Sequence, residues 1–383
     1  MRPLSRSKKG SITAAAAGFT AFVNVYALQS LLPVLTDAFK AGSSEVSLAV
    51  SATTLAVALA SPFAGWLVGR LTRGALTKIS VGGLVFCGLQ VAMANSLESL
   101  IFWRFLQGLF LPVLIAGVLA FMAQDFARKE LGRATSLYVT WTIVGGFAGR
   151  WLAGTLTECY GWREALFGLA LANGAAGAVL LASLADPGAR LPAGRNPRFG
   201  DFIESLRHHR MRAVYAIGFC SLFTMVGGFT YVTFYLSNAP FELGPKELGK
   251  VFFVYLLGIT ITPMVGRALT RWGYSATIAG TSRLAIGGLL LTLVPKLGFV
   301  VVGLSLLCVA GFATQASASA FIAQLEPREK SVAAGIYLSS YYIGGSIGAF
   351  LPGLAWQALG WWGCVGMLIV IQLGVNRLRL SLG

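Results

Sequence analysis

Acidic residues are scarce in this sequence. Of its 383 residues only 14 are Asp or Glu, against 30 Lys and Arg, and charged residues together make up 11% of the chain. Soluble domains carry about 25% charged residues, so the composition excludes an ordinary soluble domain. Every Asp and Glu lies at or beyond the end of a long apolar run. That distribution also excludes an enzyme built around a deep pair of carboxylates.

Histidine and paired cysteine are missing from the apolar runs as well. The two histidines, His208 and His209, lie together in a polar stretch, where solvated side chains are expected rather than a metal pair. The five cysteines are scattered without CxxC spacing, which favours buried free thiols over a disulfide or a metal site. There is no HExxH motif and no Ser/His set within the runs. We therefore predict no enzyme activity, no metal and no cofactor.

What the chain has in abundance is apolar sequence. Hydrophobic residues make up 56% of it, in runs of about 20 residues that are long enough to cross a bilayer as helices. We predict an all-α membrane protein with twelve transmembrane helices. The predicted spans are residues 13–38, 46–69, 76–96, 99–123, 133–157, 163–184, 212–237, 247–269, 275–295, 297–322, 331–356 and 361–380.

The basic residues fix the predicted orientation. The net charge is +16, but the cations lie in short loops rather than on one amphipathic face, so we expect no nucleic-acid partner. Most fall in the N-terminal segment and in alternate loops, as the positive-inside rule requires of the cytoplasmic side. The first run lacks a short core and a clear cleavage site, so we expect it to remain as a span. Both termini are predicted to be cytoplasmic. The outer side receives only Lys40, Arg163, Lys246, Lys250 and Lys296.

The second half of the chain repeats the first. Gly344, Gly348 and Gly353 each follow a matching glycine, at 145, 149 and 154, by 199 residues. We predict two six-helix bundles, residues 1–184 and 212–383, joined by a cytoplasmic linker over 185–211 with a short helix near 199–208. Parallel repeats of this kind place a solute site between the halves near the bilayer midplane.

Four motifs, in order on matching helices, carry a family resemblance. Residues 65–73 resemble the loop Gly-x-x-x-Asp-Arg-x-Gly-Arg, and 104–108 resemble Arg-x-x-Gln-Gly. Residues 145–154 resemble a glycine-rich helix-five motif, and 160–163 resemble the Gly-Trp-Arg that follows it. Together with the repeat, they make the chain resemble the major facilitator superfamily over essentially its whole length, most closely the twelve-helix drug and sugar efflux branch.

Two positions depart from the family pattern. Gly69 replaces the acid of the loop motif, and Arg150 replaces the proline of the helix-five motif. An arginine at membrane depth is expensive and usually faces a cavity, a partner or a ligand. We therefore take Arg150 as the leading candidate for substrate binding. Its alternatives are an outer-gate contact to Asp37 or Glu158 and extension toward the outer headgroups.

Other polar and aromatic residues of the spans complete the predicted site. For Arg104, a substrate contact and a structural hydrogen-bonding role between helices one and four are equally favoured. The aromatic candidates could line the cavity or serve only in ordinary packing. Asp37 is the proton-coupling candidate, and its alternative is a solvated residue at a helix end. The remaining substrate-binding candidates are Gln29, Asn24, Tyr231, Tyr235, Gln315, Tyr341 and Tyr342.

The predicted gates use charge at the cytoplasmic face and glycine within the helices. Without an acid at Gly69, the cytoplasmic ion-pair latch should be weaker than is usual in the family. Gly145, Gly149 and Gly154 leave a groove for a second helix. The charged gating candidates are Arg70, Arg73, Arg271, Asp125, Glu326 and Glu329.

The resemblance implies a monomeric secondary transporter in the plasma membrane, or inner membrane of a bacterium. We expect it to move a small organic solute outward by alternating access. An anionic or zwitterionic solute is favoured because the spans contain two arginines and no deep acid, and aromatic and small polar walls suit an amphipathic solute. Proton coupling stays open, as does the alternative of an importer or facilitator. A non-transporting receptor or lipid-handling protein is the remote alternative.

Overall fold

Helices make up nearly all of the described chain. A computed structural model describes residues 6–125, 128–184, 188–190, 199–325 and 327–382. The helices of the first half are α1 (Arg6–Phe22), α2 (Leu32–Phe39), α3 (Ser43–Val68), α4 (Arg73–Ala92), α5 (Leu97–Asp125), α6 (Arg128–Tyr160) and α7 (Trp162–Ser183). After them come α8 (Phe199–Arg207), α9 (His209–Ser237), α10 (Pro245–Val251), α11 (Leu257–Leu291), α12 (Leu297–Ala323), α13 (Pro327–Phe350) and α14 (Pro352–Leu378).

These helices confirm the predicted fold class. Within the described ranges, eight helical stretches are long and apolar enough to cross a membrane. One of them, Pro245–Leu291, holds predicted spans eight and nine, which part at Gly273 with φ 74°. Spans eleven and twelve part in the same way inside α14, at Gly360 with φ 58°. Glycine adopts such positive φ values at little cost. The predicted linker helix is α8; the bounds of the two halves, residues 1–184 and 212–383, stay a prediction.

Two predicted spans are broken rather than continuous. The first, predicted as 13–38, consists of α1, a 3₁₀ helix at Ala27–Ser30 and α2. The eighth consists of α10, a 3₁₀ helix at Phe252–Leu256 and the start of α11. Irregular backbone at membrane depth is tolerated only inside protein or beside a cavity, because lipid cannot satisfy its polar groups. The two breaks therefore mark the interior of the molecule.

Glycines set the helix packing inside each half. A Cβ built on Gly149 of α6 would overlap the carbonyl oxygen of Val23, just after α1. A Cβ built on Gly348 of α13 would overlap the carbonyl oxygen of Phe223 in α9. Only glycine permits backbones this close. The repeated glycines thus make equivalent contacts, α1 with α6 and α9 with α13.

The two halves meet along α3 with α13 and along α6 with α10. Near the middle of the bundle, Ser51 Oγ donates to the carbonyl oxygen of Ser346 at 2.8 Å. At the predicted extracellular end, Ser47 and Tyr231 share a hydroxyl hydrogen bond of 3.0 Å, and the Lys246 N–H donates to Glu158 Oε2 at 3.3 Å. The halves are closed at this end.

Candidate functional site

A cavity of about 570 Å³ lies between the two halves. It extends from Arg150, at its closed end, toward Tyr138 near the start of α6 and Ala320 near the end of α12. Both lie toward the predicted cytoplasmic face. Among the described side chains that line it, Arg150 is the only charged one. The cavity therefore extends toward the predicted cytoplasmic side and is closed at the predicted extracellular end.

Arg150 donates hydrogen bonds to a side chain and to a backbone carbonyl, and other N–H groups of its guanidinium stay unused among the described residues. Its Nε donates to Gln29 Oε1 at 2.8 Å, and its Nη1 donates to the carbonyl oxygen of Gly146 at 2.6 Å. Within the described part of the chain, Nη2 donates to no protein acceptor. Arg150 is one of the residues that line the cavity, so this second nitrogen is a candidate donor to a ligand there.

Three aromatic rings surround the Arg150 guanidinium, and we call them the arginine cage. The Cζ atom lies 4.8 Å from the ring centroid of Tyr26, 4.9 Å from that of Phe252 and 4.5 Å from that of Tyr255. Desolvated cation–π contacts stabilise by up to about 2 kcal/mol each. Arg150 is only 1% exposed, so its side chain does not extend to the headgroups.

The arginine cage joins the two halves at the broken helices. Tyr26 precedes the 3₁₀ helix of the first span, whereas Phe252 and Tyr255 belong to that of the eighth. Gln29, which accepts from Arg150, donates through Nε2 to Thr230 Oγ1 at 3.1 Å. Arg150 therefore contacts the second half directly, through the Phe252 and Tyr255 rings, and indirectly, through the Gln29 amide that donates to Thr230. Neither Asp37 nor Glu158 contacts it among the described residues.

Arg104 is also buried, but it lies away from the cavity lining. Its Nη1 donates to the carbonyl oxygen of Asn24 at 2.8 Å and to Gln107 Oε1 at 2.6 Å. Its Nη2 donates to the carbonyl oxygen of Val25. These two carbonyls belong to the break in the first span, which favours the strut between helices one and four over a substrate contact.

The structure separates the remaining predicted binding residues into two groups. Gln315, Tyr341 and Tyr342 line the cavity with Arg150. Tyr231 lies outside it, donating to the carbonyl oxygen of Phe350 at 3.2 Å, and Tyr235 stacks on Trp361 with ring centroids 5.5 Å apart. Asn24 and Gln29 lie outside the lining as well, although Gln29 orients Arg150.

Those of the other predicted acidic and basic residues whose side chains are described lie away from the cavity lining. Asp37, near the end of α2, is exposed. Arg271 is exposed and its Cζ lies 5.6 Å from the adjacent Trp272 ring. Arg73 is buried and donates to Gln124 Oε1 beside the Phe121 ring. Arg70 is exposed. Glu326 and the side chains of Asp125 and Glu329 lie outside the described residues.

The gating glycines act at two different contacts. Gly145 and Gly149 pack α6 against α1 inside the first half. Gly154 instead faces the second half, where a Cβ would overlap the carbonyl oxygen of Pro245. Its counterpart Gly353 lies against the Ser44 hydroxyl of the first half. One pair of repeated glycines therefore closes the outer contact between the halves.

Sequence reasoning missed the arginine cage. Tyr26, Phe252 and Tyr255 read as ordinary aromatic residues of apolar spans. Tyr26 precedes the candidate Gln29 by three residues, about one helical turn, which was the available signal. For Phe252 and Tyr255 the sequence offers no comparable signal, because only the packing of the 3₁₀ helix at Phe252–Leu256 against α6 brings them to Arg150.

Two bundles of membrane-spanning helices around a central cavity with one buried charge define a polytopic membrane transporter. The sequence profile of the Major Facilitator Superfamily matches residues 14–349. The chain belongs to the major facilitator superfamily, which confirms the resemblance drawn from its motifs.

This chain matches several transporters over most of their length. The uncharacterised MFS-type transporter YybF of Bacillus subtilis is 27% identical over 94% of this chain and 89% of the relative. The inner membrane transport protein YnfM of Escherichia coli is 27% identical over 94% and 87%. A chloramphenicol efflux pump of Mycobacterium tuberculosis is 25% identical over 87% and 83%.

Solved structures share the fold at low sequence identity. A bacterial homologue of the human lysosomal transporter Spinster, inward-facing and unoccupied, superposes with a TM-score of 0.76 at 14% identity, covering 100% of this chain and 94% of that one. The nucleoside transporter NupG superposes with a TM-score of 0.78 at 13% identity, covering 97% and 99%. Such identities establish the fold alone.

Proposed function

We propose that this transporter exports a small organic solute that carries an acidic group on an amphipathic body. The solute enters the cavity from the cytoplasm, binds Arg150 and leaves by alternating access of the two halves. The observation that carries this proposal is that Arg150 lines the cavity while its Nη2 has no acceptor among the described residues. A zwitterion with an exposed carboxylate belongs to the same class.

The charge of the site favours an anion. Arg150 is buried without a carboxylate partner in the described chain, and its surroundings are rings, one amide and one carbonyl. Leaving a buried charge without an opposite charge is unfavourable. A ligand carboxylate, sulfonate or phosphate would supply that charge and accept a charge-assisted hydrogen bond from Nη2.

The remainder of the cavity favours an amphipathic body. A cavity of about 570 Å³ falls within the range of small-molecule sites. Its walls combine the Phe22 and Phe312 rings with the hydroxyl-bearing Tyr341 and Ser319 and the Gln315 amide. Rings bind the apolar part of a solute, while the few polar groups fix its orientation.

Outward transport is supported by the chain's relatives and by the shape of the site. One relative is a chloramphenicol efflux pump, and the helix-five glycines resemble those of the efflux branch. The cavity extends toward the predicted cytoplasmic face, where an exported solute would enter. Import of a similar solute through the same cavity is the alternative.

Melting temperatures of the purified protein with a matched ligand pair test the anion requirement. Benzenesulfonate keeps its charge at all working pH values, whereas benzenesulfonamide has similar shape and is neutral. Ligand binding stabilises the folded state by RT ln(1 + [L]/Kd). We expect benzenesulfonate, and not the sulfonamide, to raise the melting temperature of the wild type.

Two variants assign that shift to the cavity. Arg150→Gln should abolish the benzenesulfonate shift, while Arg271→Gln, which removes an exposed arginine outside the cavity, should keep it. Equal shifts in Arg150→Gln and wild type would remove Arg150 from the site. If the sulfonamide stabilised the wild type as strongly as the sulfonate, the solute would not need a negative charge.

A further inference from the structure

The distribution of ionisable residues bears on how the transport is driven. Arg150 is the single charged residue among the described side chains of the cavity wall. All 14 acidic residues of the chain lie at or beyond the ends of the predicted spans, and both histidines lie beside the linker helix α8. Proton carriers of membrane transporters are usually carboxylates or histidines inside the spans. A solute bound at Arg150 therefore has no such carrier beside it.

Arg150 is built as a fixed point rather than a moving charge. Its Nε and Nη1 are tied to Gln29 and to the backbone of α6. Its carbonyl oxygen also accepts a hydrogen bond from Ser30 Oγ at 2.8 Å. These contacts lie within the first half, so they persist when the halves rock about the site. The guanidinium would therefore keep its position in the first half while the solute changes sides.

The arginine cage contains rings from both halves, so movement of the halves would change which side of Arg150 is covered. Tyr26 belongs to the first half, but Phe252 and Tyr255 belong to the second. In an outward-open state, separation of α10 from α6 would move these latter two rings away from Arg150. The guanidinium face now covered by the second half then becomes open to the outside. The same arginine thus presents a bound anion first to the cytoplasm and then to the exterior.

These observations point to a solute anion that crosses with its charge uncompensated. We propose that the membrane potential drives export, so that the protein works as an electrogenic uniporter of organic monoanions and needs no coupling ion. This inference rests on the proposed anion binding at Arg150. A potential that is negative inside pushes an anion outward. At 100 mV it supports a concentration ratio of about 50-fold for one charge.

The intact protein in sealed proteoliposomes tests the driving force with radiolabelled benzenesulfonate. Its charge does not change with pH, so a pH gradient cannot act on the solute itself. Valinomycin with higher external potassium makes the vesicles positive inside. Valinomycin with equal potassium holds the potential at zero while a pH gradient of either sign is imposed. A uniporter responds to the potential in either insertion orientation, so random orientation does not obscure the result.

We expect an inside-positive potential to concentrate benzenesulfonate in the vesicles, up to about 50-fold at 100 mV. A pH gradient at zero potential should leave the equilibrium ratio at one. Accumulation driven by the pH gradient, with no response to potential, would overturn the proposal and show proton coupling. Empty liposomes and Arg150→Gln vesicles supply the background.

The melting experiment separates the two proposals. If benzenesulfonate stabilises the wild type but the potential does not move it, anion binding stands and potential-driven transport is refuted. If benzenesulfonate neither stabilises the protein nor enters the vesicles, the anion site itself is refuted. The decision rests on wild-type protein, so it does not depend on the folding of any variant.

Discussion

Arg104 and Arg150 are both buried arginines without a carboxylate partner in the described chain, but their surroundings differ. Arg104 donates to the Asn24 and Val25 carbonyls and to Gln107. Arg150 has the arginine cage around it and a free Nη2 at the cavity. At the scale of the residue, both arginines keep an unused donor among the described residues, Nε in Arg104 and Nη2 in Arg150. Only Arg150 lines the cavity, so we propose Arg150 as the binding residue and Arg104 as a structural one.

Replacing Arg104 should therefore cost stability and spare binding. In Arg104→Met, the buried carbonyl oxygens of Asn24 and Val25 lose their donors. This should lower the free energy of unfolding by at least about 2 kcal/mol. We expect a lower melting temperature for the variant without ligand. The benzenesulfonate shift should survive in the folded protein. A normal melting temperature with a lost ligand shift would instead make Arg104 a binding residue.

At the scale of the element, breaks and close contacts matter more than helix length. The breaks in the first and eighth spans bring Tyr26, Phe252 and Tyr255 around one guanidinium. Glycines hold the neighbouring helices close enough for this, since α6 carries Arg150 one residue after Gly149. The position of Arg150 thus depends on the distance between α1 and α6.

A methyl group at the α1–α6 contact should test this dependence. Gly149→Ala puts a Cβ against the Val23 carbonyl, and forced overpacking costs about 1–3 kcal/mol. Gly132→Ala is the matched control in α6, because a Cβ there meets nothing within 4 Å. Thermal unfolding should show Gly149→Ala destabilised and Gly132→Ala unchanged or stabilised by about 1 kcal/mol. Equal stability of the two variants would contradict the close contact.

At the scale of the whole molecule, the halves are closed at one end and separated by a cavity toward the other. The outer end is joined by the arginine cage, by Gln29 with Thr230, and by the contact of Gly154 with Pro245. These contacts lie between halves rather than within them. Weakening them should favour the outward-open state without unfolding either bundle.

Gly154→Leu should shift the population toward outward-open, because its side chain cannot fit against the Pro245 carbonyl. Spin labels at positions 160 and 246, in a variant without the five native cysteines, report the outer distance by pulsed electron paramagnetic resonance; both leave the Glu158 carboxylate in place. We expect a single short distance in the parent and an added longer one in Gly154→Leu. Gly132→Leu, in open space on the same helix, should keep the parent distribution. An unchanged distribution in Gly154→Leu would show that this contact does not hold the gate.

Much of the architecture follows from the sequence alone. Apolar runs of bilayer length dictate the spanning helices, and the repeated glycines dictate which helices pack closely, because close backbone approach requires them. The motifs identify the family. Arg150 could be singled out because a charge inside an apolar helix needs a partner.

Only the tertiary structure decided what surrounds that charge. The partners of Arg150 come from the breaks in two spans, one in each half, and the apolar pattern predicted both spans as continuous helices. Hydropathy reports the transfer of side chains into lipid. A helix break is instead stabilised by contacts with distant residues; Arg104, for example, donates to the carbonyl oxygens of Asn24 and Val25. The sequence by itself determined that a buried arginine exists; the packing of the two halves determined that aromatic rings and an open cavity, rather than an acid, face it.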